Sequence, residues 1–325
     1  MPTSTLVESK PAQPLPALRG RDLLSISDLD AGEVRAIFDT AAAMKRDLSP
    51  FVGALSGRSV IGLFEKPSLR TRVTFEVGPT RLGAHVMYYD HSRQRIGERE
   101  SVKDYARNLE RWVDAIVARV YSHDVLRQLA EHAGVPVVNA LCDREHPCQA
   151  LADLFTLHEK WGTLAGRTLA FVGDGNNVCH SLMLLSAKLG VHFIAATPKG
   201  FEPQFSVVKC ALDDARATAS RITLSHAPDA AMGCDAIYTD CWLSMGQDHQ
   251  HAIRDGVFVP YQVNIEFMER LAKGRPAPLF MHCLPAHRGE EVTDEVIDSA
   301  GSIVYDQAEN RMWVQNALLW HLLAR

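Results

Sequence analysis

Ser68-Leu69-Arg70-Thr71-Arg72 places two hydroxyls and two guanidinium groups where a β-rich run, Ser59 to Phe64, gives way to a helix-length segment. Free N–H groups and the positive end of a helix dipole suit a phosphate there. Arg70 can hold phosphate oxygens through two N–H groups at once, while Ser68 and Thr71 donate hydroxyl hydrogen bonds. Alone, this pattern would equally be a capped helix with solvated arginines; its place after a buried strand favours the anion. His146-Pro147-Cys148-Gln149 follows another strand, at the carboxyl edge where open α/β sheets bind ligands. His146 can donate to a carbonyl oxygen, Gln149 can grip an amide, and Arg119, ending the strand before, brings a fixed positive charge. A lone histidine there would be a cap or a core residue. Asp240-Cys241-Trp242-Leu243-Ser244-Met245-Gly246 suits an α-amino acid: Asp240 for the ammonium, Ser244 for a second polar contact, the Met245 backbone for the carboxylate. In His282-Cys283-Leu284-Pro285 the thiol and the Leu284 carbonyl can orient an attacking amine. Arg311 can cross from the last helix to an anionic donor. The chemistry implied is attack by an amine on an acyl group activated by phosphate.

Three rival readings start from the same residues. Gly173-Asp174-Gly175-Asn176-Asn177 follows a strand and opens a helix, as a dinucleotide fingerprint does. Val178 replaces the third glycine, however, and the next strand leads to Thr197-Pro198-Lys199 instead of an acid for a ribose hydroxyl. A metal pair of His282 or Cys283 with His287 lacks third and fourth ligands at matching spacing. Cys283 as a covalent nucleophile lacks a neighbouring general base.

The four segments, in this order, resemble the ornithine carbamoyltransferases from about Asp22 to Arg325, most specifically over Asp240 to Gly246. The resemblance implies transfer of the carbamoyl group of carbamoyl phosphate to the δ-amine of L-ornithine, with no metal or organic cofactor. It implies that Ser68, Leu69, Arg70, Thr71, Arg119, His146, Gln149, Cys283, Leu284 and Arg311 bind the donor. Arg119, His146, Cys283 and Thr71 would be the catalytic set. Asn177, Asp240, Ser244 and Met245 would hold ornithine, with Asn177 on its α-carboxylate and Asn176 the alternative if the register is off by one. Leu69 stands where the family has Thr and acts through its N–H; Arg72 supports the site. Arg95, with Gln94 beside it, stands where the family has a glutamine that reaches the neighbouring subunit. A homotrimer or a multiple of trimers follows. Sibling enzymes for putrescine, N-acetylornithine or aspartate are the nearest rivals, then a non-catalytic anion-binding module. Biosynthetic and arginine-degrading directions use the same residues.

The elements that must position these groups are legible as alternation. Short β-rich runs (59–64, 85–89, 115–117, 135–139) are separated by helix-length segments, and a second series (169–172, 193–196, 236–239, 279–282) follows. The fold class expected is α/β: two doubly wound parallel-sheet domains with the active site in the cleft between them. At 325 residues, two cores are the first expectation. The divisions expected are a disordered tail over 1–19, a donor domain over 20–160, an acceptor domain over 161–309, and a last helix, 310–325, that packs back on the first. Asp30-Ala31-Gly32-Glu33 caps a helix with the stripe Val34, Ile37, Phe38 and Ala41. Pro79, inside the helix after Ser68, should end or kink it. With 46% hydrophobic and 22% charged residues, the chain is an ordinary globular one. A net charge of -5, from 34 basic and 39 acidic residues, argues against a nucleic-acid partner. No segment approaches a membrane span. Seven cysteines without paired spacing point to reduced thiols and a cytoplasmic location.

Overall fold

The structure is a computed structural model that describes residues 13–242 and 256–324. Two parallel sheets, joined by helices, carry the chain. The first has the order β2 (His85–Asp90), β1 (Ser59–Phe64), β3 (Ala115–Arg119), β4 (Val137–Leu141). The second has the order β7 (Ile222–Ser225), β6 (His192–Ala196), β5 (Thr168–Val172), β8 (Ala236–Thr239), β9 (Leu279–His282). In both, strand order reverses beside the first strand of the series, the place where open α/β sheets offer a crevice.

Burial explains why most strands were readable. β3 and β4 are buried at every position, as parallel strands covered on both faces should be. β4 starts two residues later than the run at 135–139 suggests, because Pro136 has no N–H for the ladder. β7, absent from the expected strands, is a four-residue edge strand with no fully buried position, so it lacks the apolar run that marks the others.

Helix α1 (Ala31–Arg46) carries the expected capping box between Asp30 and Glu33, and buries Val34, Ile37, Phe38 and Ala41. Helix α2 (Leu69–Arg81) starts at Ser68, whose side chain accepts from Thr71 N–H, and contains Pro79 two residues before its end. The proline therefore coincides with the stop. Gly78 beside it meets the C-terminal helix (Val304–Leu323): a Cβ there would lie 2.1 Å from Asn316 Oδ1, so any larger residue would have to displace that buried side chain. Of the expected tail, residues 13–19 pack. Leu18 is buried and Leu15 N–H donates to His321 Nδ1 at 3.0 Å, because the C-terminal helix offers that stretch an apolar seat. No described helix is long and apolar enough to cross a membrane.

The C-terminal helix packs on α1, α2 and α5 (Pro147–Trp161) and also touches β9. One apolar core accordingly runs from α1 through α5 and the C-terminal helix to α6 (Asn177–Leu189) and β5. Inside it lies a polar chain. Asp153 Oδ1 accepts from Gln149 Nε2 and Gln307 Nε2, both at 2.8 Å, and Gln307 Oε1 in turn accepts from His282 N–H at 3.1 Å. Burial pushes the Asp153 carboxyl up to about 6, against the lowering effect of those donors, Tyr238 and Arg311.

Asp153 therefore binds its proton more tightly folded than unfolded. Its contribution to stability is complete below the unfolded value near 4 and is lost as pH rises through about 6. Urea unfolding at pH 5 and pH 8 should show the parent losing about 1–1.5 kcal/mol more than Asp153→Asn across that interval. Identical pH dependence in the two proteins would mean that Asp153 does not titrate there.

Candidate active site

A cavity of about 480 Å³ opens at the carboxyl ends of both sheets. Its walls bring together Ser68, Leu69, Arg70, Thr71, Arg119, His146, Asn177, Asp240, Cys283, Leu284 and Arg311, eleven of the residues expected from the motifs and from the resemblance they carry. Lys66, Pro67, Leu141, Val178, Cys241, Pro285 and His287 complete it.

The donor side is strongly cationic. Arg119 ends β3 with 5% exposure, and Arg311 is 2% exposed on the C-terminal helix. Arg311 donates to Thr71 Oγ1 at 2.8 Å and to Gln149 Oε1. With its acceptor site so occupied, the Thr71 hydroxyl keeps its own proton free to donate. Among the described residues, Arg119 Nε and Arg311 Nε are buried and have no hydrogen-bond partner, which leaves both donors available to an anion. Burial, with Arg311 and Arg70 nearby, brings Arg119 down to about 10, so it stays charged at neutral pH. Lys66 is 8% exposed at the end of β1, and its ammonium is lowered by burial and by Arg119. It stands over the Tyr121 ring at 4.3 Å. The signal for Lys66 was present, since like Arg119 it follows the carboxyl end of a buried strand.

Burial and the charges of Arg311 and Arg119 hold His146 well below the usual histidine range. The ring is thus neutral and Nδ1 has no partner. His146 sits just before Pro147 at the first turn of α5, with its N–H on Ser181 Oγ at 2.9 Å. Gln149 does not line the cavity. Fully buried, it spends its amide on Arg311 and Asp153.

The acceptor side rests on β5, β8 and β9. Asn176 caps α6, accepting from Val178 and Cys179 N–H, and donates to Asp240 Oδ2 at 2.7 Å. Asn177 instead lines the cavity, with Nδ2 on the Cys142 carbonyl at 2.6 Å. Asp240 Oδ1 receives Cys241 N–H at 2.8 Å and the Cys283 thiol at 3.0 Å. Of roughly four acceptor positions on a carboxylate, about one remains. Burial and Asp240 raise the Cys283 thiol well above its ordinary range, so it is a proton-bearing donor and not a thiolate. Leu284 adopts φ 55, and its N–H rests on His282 Nδ1 at 2.8 Å.

Some expected residues lie elsewhere. Ser244 and Met245 fall outside the described residues. Arg72 pairs with Glu76 at 3.1 Å and covers the Tyr88 ring, away from the cavity. Gln94 and Arg95 are exposed outside the cavity, Arg95 lying 4.2 Å from the Tyr121 ring centre. The turn at Gly173 to Asn177 is crossed by backbone: a Cβ on Gly175 would lie 2.4 Å from Pro203 N. The glycine serves close packing there.

Comparison with known proteins agrees with this geometry. Residues 21–159 match the family described as aspartate/ornithine carbamoyltransferase, carbamoyl-P binding domain, and residues 165–322 match its Asp/Orn binding domain. The ornithine carbamoyltransferase of Pyrococcus horikoshii is 46% identical over 310 residues, covering 94% of this chain and 97% of that protein. The anabolic ornithine carbamoyltransferase of Pyrococcus furiosus is 47% identical over 306 residues, covering 93% and 96%. Among solved structures, ornithine carbamoyltransferase from Pyrococcus furiosus superposes with a TM-score of 0.89 at 47% identity, covering 94% of this chain and 98% of that one. The Thermus thermophilus enzyme gives 0.83 at 46%, covering 93% and 98%. The chain belongs to the aspartate/ornithine carbamoyltransferase family, in its ornithine carbamoyltransferase branch.

Proposed function

We propose that this chain is an ornithine carbamoyltransferase, moving the carbamoyl group of carbamoyl phosphate to the δ-amine of L-ornithine to give L-citrulline and phosphate. The observation that carries this reading is the meeting, in one cavity, of a cationic anion cradle at α2 with an amino-acid cradle at β5, β8 and β9. The donor binds within the part spanning 20–160, closed by the C-terminal helix Val304–Leu323, and ornithine binds against 161–309. Phosphate is a good leaving group, so the protein chiefly places reactants and stabilises charge.

Ser68, the Leu69 N–H, Arg70, Thr71 and Arg311 take the phosphate. As the amine lone pair forms the new C–N bond, the carbonyl electrons move onto oxygen, where Arg119, the Thr71 hydroxyl and one N–H of the neutral His146 receive them. The oxyanion then re-forms the C=O bond as the C–O bond to phosphate breaks; the electron pair leaves with phosphate, which also takes up the one proton that the attacking nitrogen gives up. Gln149 keeps Arg311 aimed and stands behind the donor's amide. Asp240 takes the α-ammonium with its remaining acceptor position and Asn177 takes the α-carboxylate, joined by Ser244 and Met245. Cys283, as a thiol donor to Asp240, and the Leu284 carbonyl steer the δ-amine.

We also assign a trimer-based assembly. Leu69, Val73 and Val77, four residues apart on α2, are 74%, 44% and 37% exposed, and such an apolar stripe supports burial by another subunit. Arg95 and Gln94 are then the groups for a neighbouring site. Seven free thiols support a cytoplasmic location, and the name of the Pyrococcus furiosus relative favours the arginine-making direction.

Arg70→Ala should weaken phosphate and carbamoyl phosphate binding by about 1.5–3 kcal/mol with little change in folding. Unchanged phosphate affinity by calorimetry would make the Ser68 turn a helix cap only. Arg119→Met should lower kcat by on the order of 100-fold, since the oxyanion is complete only during attack. A change in KM alone would reassign Arg119 to ground-state binding. With carbamoyl phosphate held constant, ornithine should exceed putrescine by ~10⁴ in kcat/KM, because putrescine leaves Asp240 and Asn177 unpaired. Equal use of putrescine or N-acetylornithine would sink the acceptor assignment.

A further inference from the structure

The amino ends of the second sheet carry a cluster of charge that chemistry at the carboxyl ends does not use. Arg167 lies just before β5, Arg221 just before β7, and Arg275 just beyond the helix Ile265–Ala272. With His192, which opens β6, and Asp235, which precedes β8, they line a cavity of about 450 Å³. The five come from separate segments of the chain, so no local motif announces them.

One carboxylate organises the cluster. Asp235 Oδ2 accepts Thr168 N–H at 2.8 Å, which fixes the side chain, and Oδ1 meets Arg167 Nη1 at 3.3 Å and Arg275 Nη2 at 3.6 Å. Arg275 also donates to the Gly233 carbonyl at 3.1 Å, and Arg167 lies 5.5 Å from the centre of the Trp161 ring. These contacts aim two guanidinium groups and leave most of their N–H groups uncommitted. The Arg221 side chain, lining the same cavity, has no hydrogen bond or ion pair among the described residues. His192 adds a neutral donor. Its Nδ1 accepts Arg221 N–H at 3.0 Å, so the neutral ring carries its proton on Nε2. Burial and the Arg221 charge lower the imidazole below its ordinary value, so the neutral form prevails at pH 7.

Three arginines against one aspartate leave two positive charges over, in a chain whose net charge is -5. Pairing with Asp235 accounts for one of the three; the surplus favours an anion in the cavity. We propose that this cavity is a second anion site, for a small molecule carrying a phosphoryl dianion, held by Arg167, Arg221, Arg275 and the Nε2–H of His192. Two surplus charges match the charge of a phosphate or phosphate monoester near neutral pH, and guanidinium forks match its tetrahedral oxygens. The site is separated from the catalytic cavity by the length of β5, five residues or roughly 16 Å, so the two fill independently. An anion here joins the segments leading into β5, β6 and β7 to the one following the helix Ile265–Ala272. The binding does not depend on the catalytic reading above.

The test is calorimetric titration of the whole chain with phenyl phosphate and, separately, with inorganic phosphate, at constant ionic strength. Arg70→Ala is the host, because its donor cradle is weakened, and Arg221→Gln or Arg275→Gln is added to it. The host should still bind, and each added substitution should weaken that binding by at least about 10-fold. Arg221→Gln removes no contact within the fold, so its loss of binding is not a loss of structure. With Arg70 intact, Arg221→Gln should leave citrulline formation unchanged. Tighter binding of phenyl phosphate supports a monoester as the occupant, and tighter binding of inorganic phosphate supports the free ion. A host that bound neither anion, or host-like affinity after both added substitutions, would overturn the site. Malonate bound as tightly as either phosphate would overturn the phosphoryl assignment, and citrulline formation lost with Arg221→Gln would overturn the independence of the two cavities.

Discussion

Arg311 is the hinge of the whole arrangement. A guanidinium 2% exposed must have its charge compensated, and here it donates to Thr71 at the start of α2 and to Gln149 on α5. Through Gln149 the chain of bonds continues to Asp153, Gln307 and the N–H of His282 at the end of β9. One continuous polar path thus ties the donor cradle to the acceptor strand through a largely apolar core. Such networks are demanding: satisfied they fix geometry, and broken they leave buried charge. The C-terminal helix is therefore as much part of the site as the loops that touch substrate.

Electrostatics divides the labour among the remaining groups. Three arginines and Lys66 crowd the donor side, and beside the attraction of Asp153, Asp143 and Glu65 their charge favours an anion in the cavity. Burial, joined by that same crowding, keeps His146 neutral, so it serves as a hydrogen-bond donor without adding charge. On the other side, burial and Asp240 keep Cys283 protonated. The cavity thus holds its hydrogen-bonding pattern before any substrate arrives, the condition under which electrostatic stabilisation costs least at the moment of reaction.

Much of this was legible in the chain. Ser68, Arg119, His146, Asp240 and Cys283 all stand at or just beyond the carboxyl ends of strands, and strand ends are what apolar runs reveal best. Caps were legible too, as the Asp30–Glu33 box shows. What escaped was whatever depends on three-dimensional pairing. Gln149 looks like a ligand in sequence, yet its amide is spent on Arg311, 162 positions away. Lys66, two residues past the end of β1, had the same strand-end signal as Arg119, but it belongs to no motif and was passed over. Residues 13–19 read as a tail because their apolar members, Leu15 and Leu18, gain a partner only when the last helix folds over them. β7 is too exposed for an apolar run to mark it.

The backbone crossing at Gly175 has a consequence for how this second sheet diverged in use. Its first turn has the look of a nucleotide cradle, but Phe201 to Pro203 lie directly against it, with Gly175 N–H on the Phe201 carbonyl at 2.9 Å. A pyrophosphate would need the space that this strap occupies. Opening the fold to dinucleotides would therefore require rerouting the connection after β6, and no substitution in the glycine turn alone could achieve it.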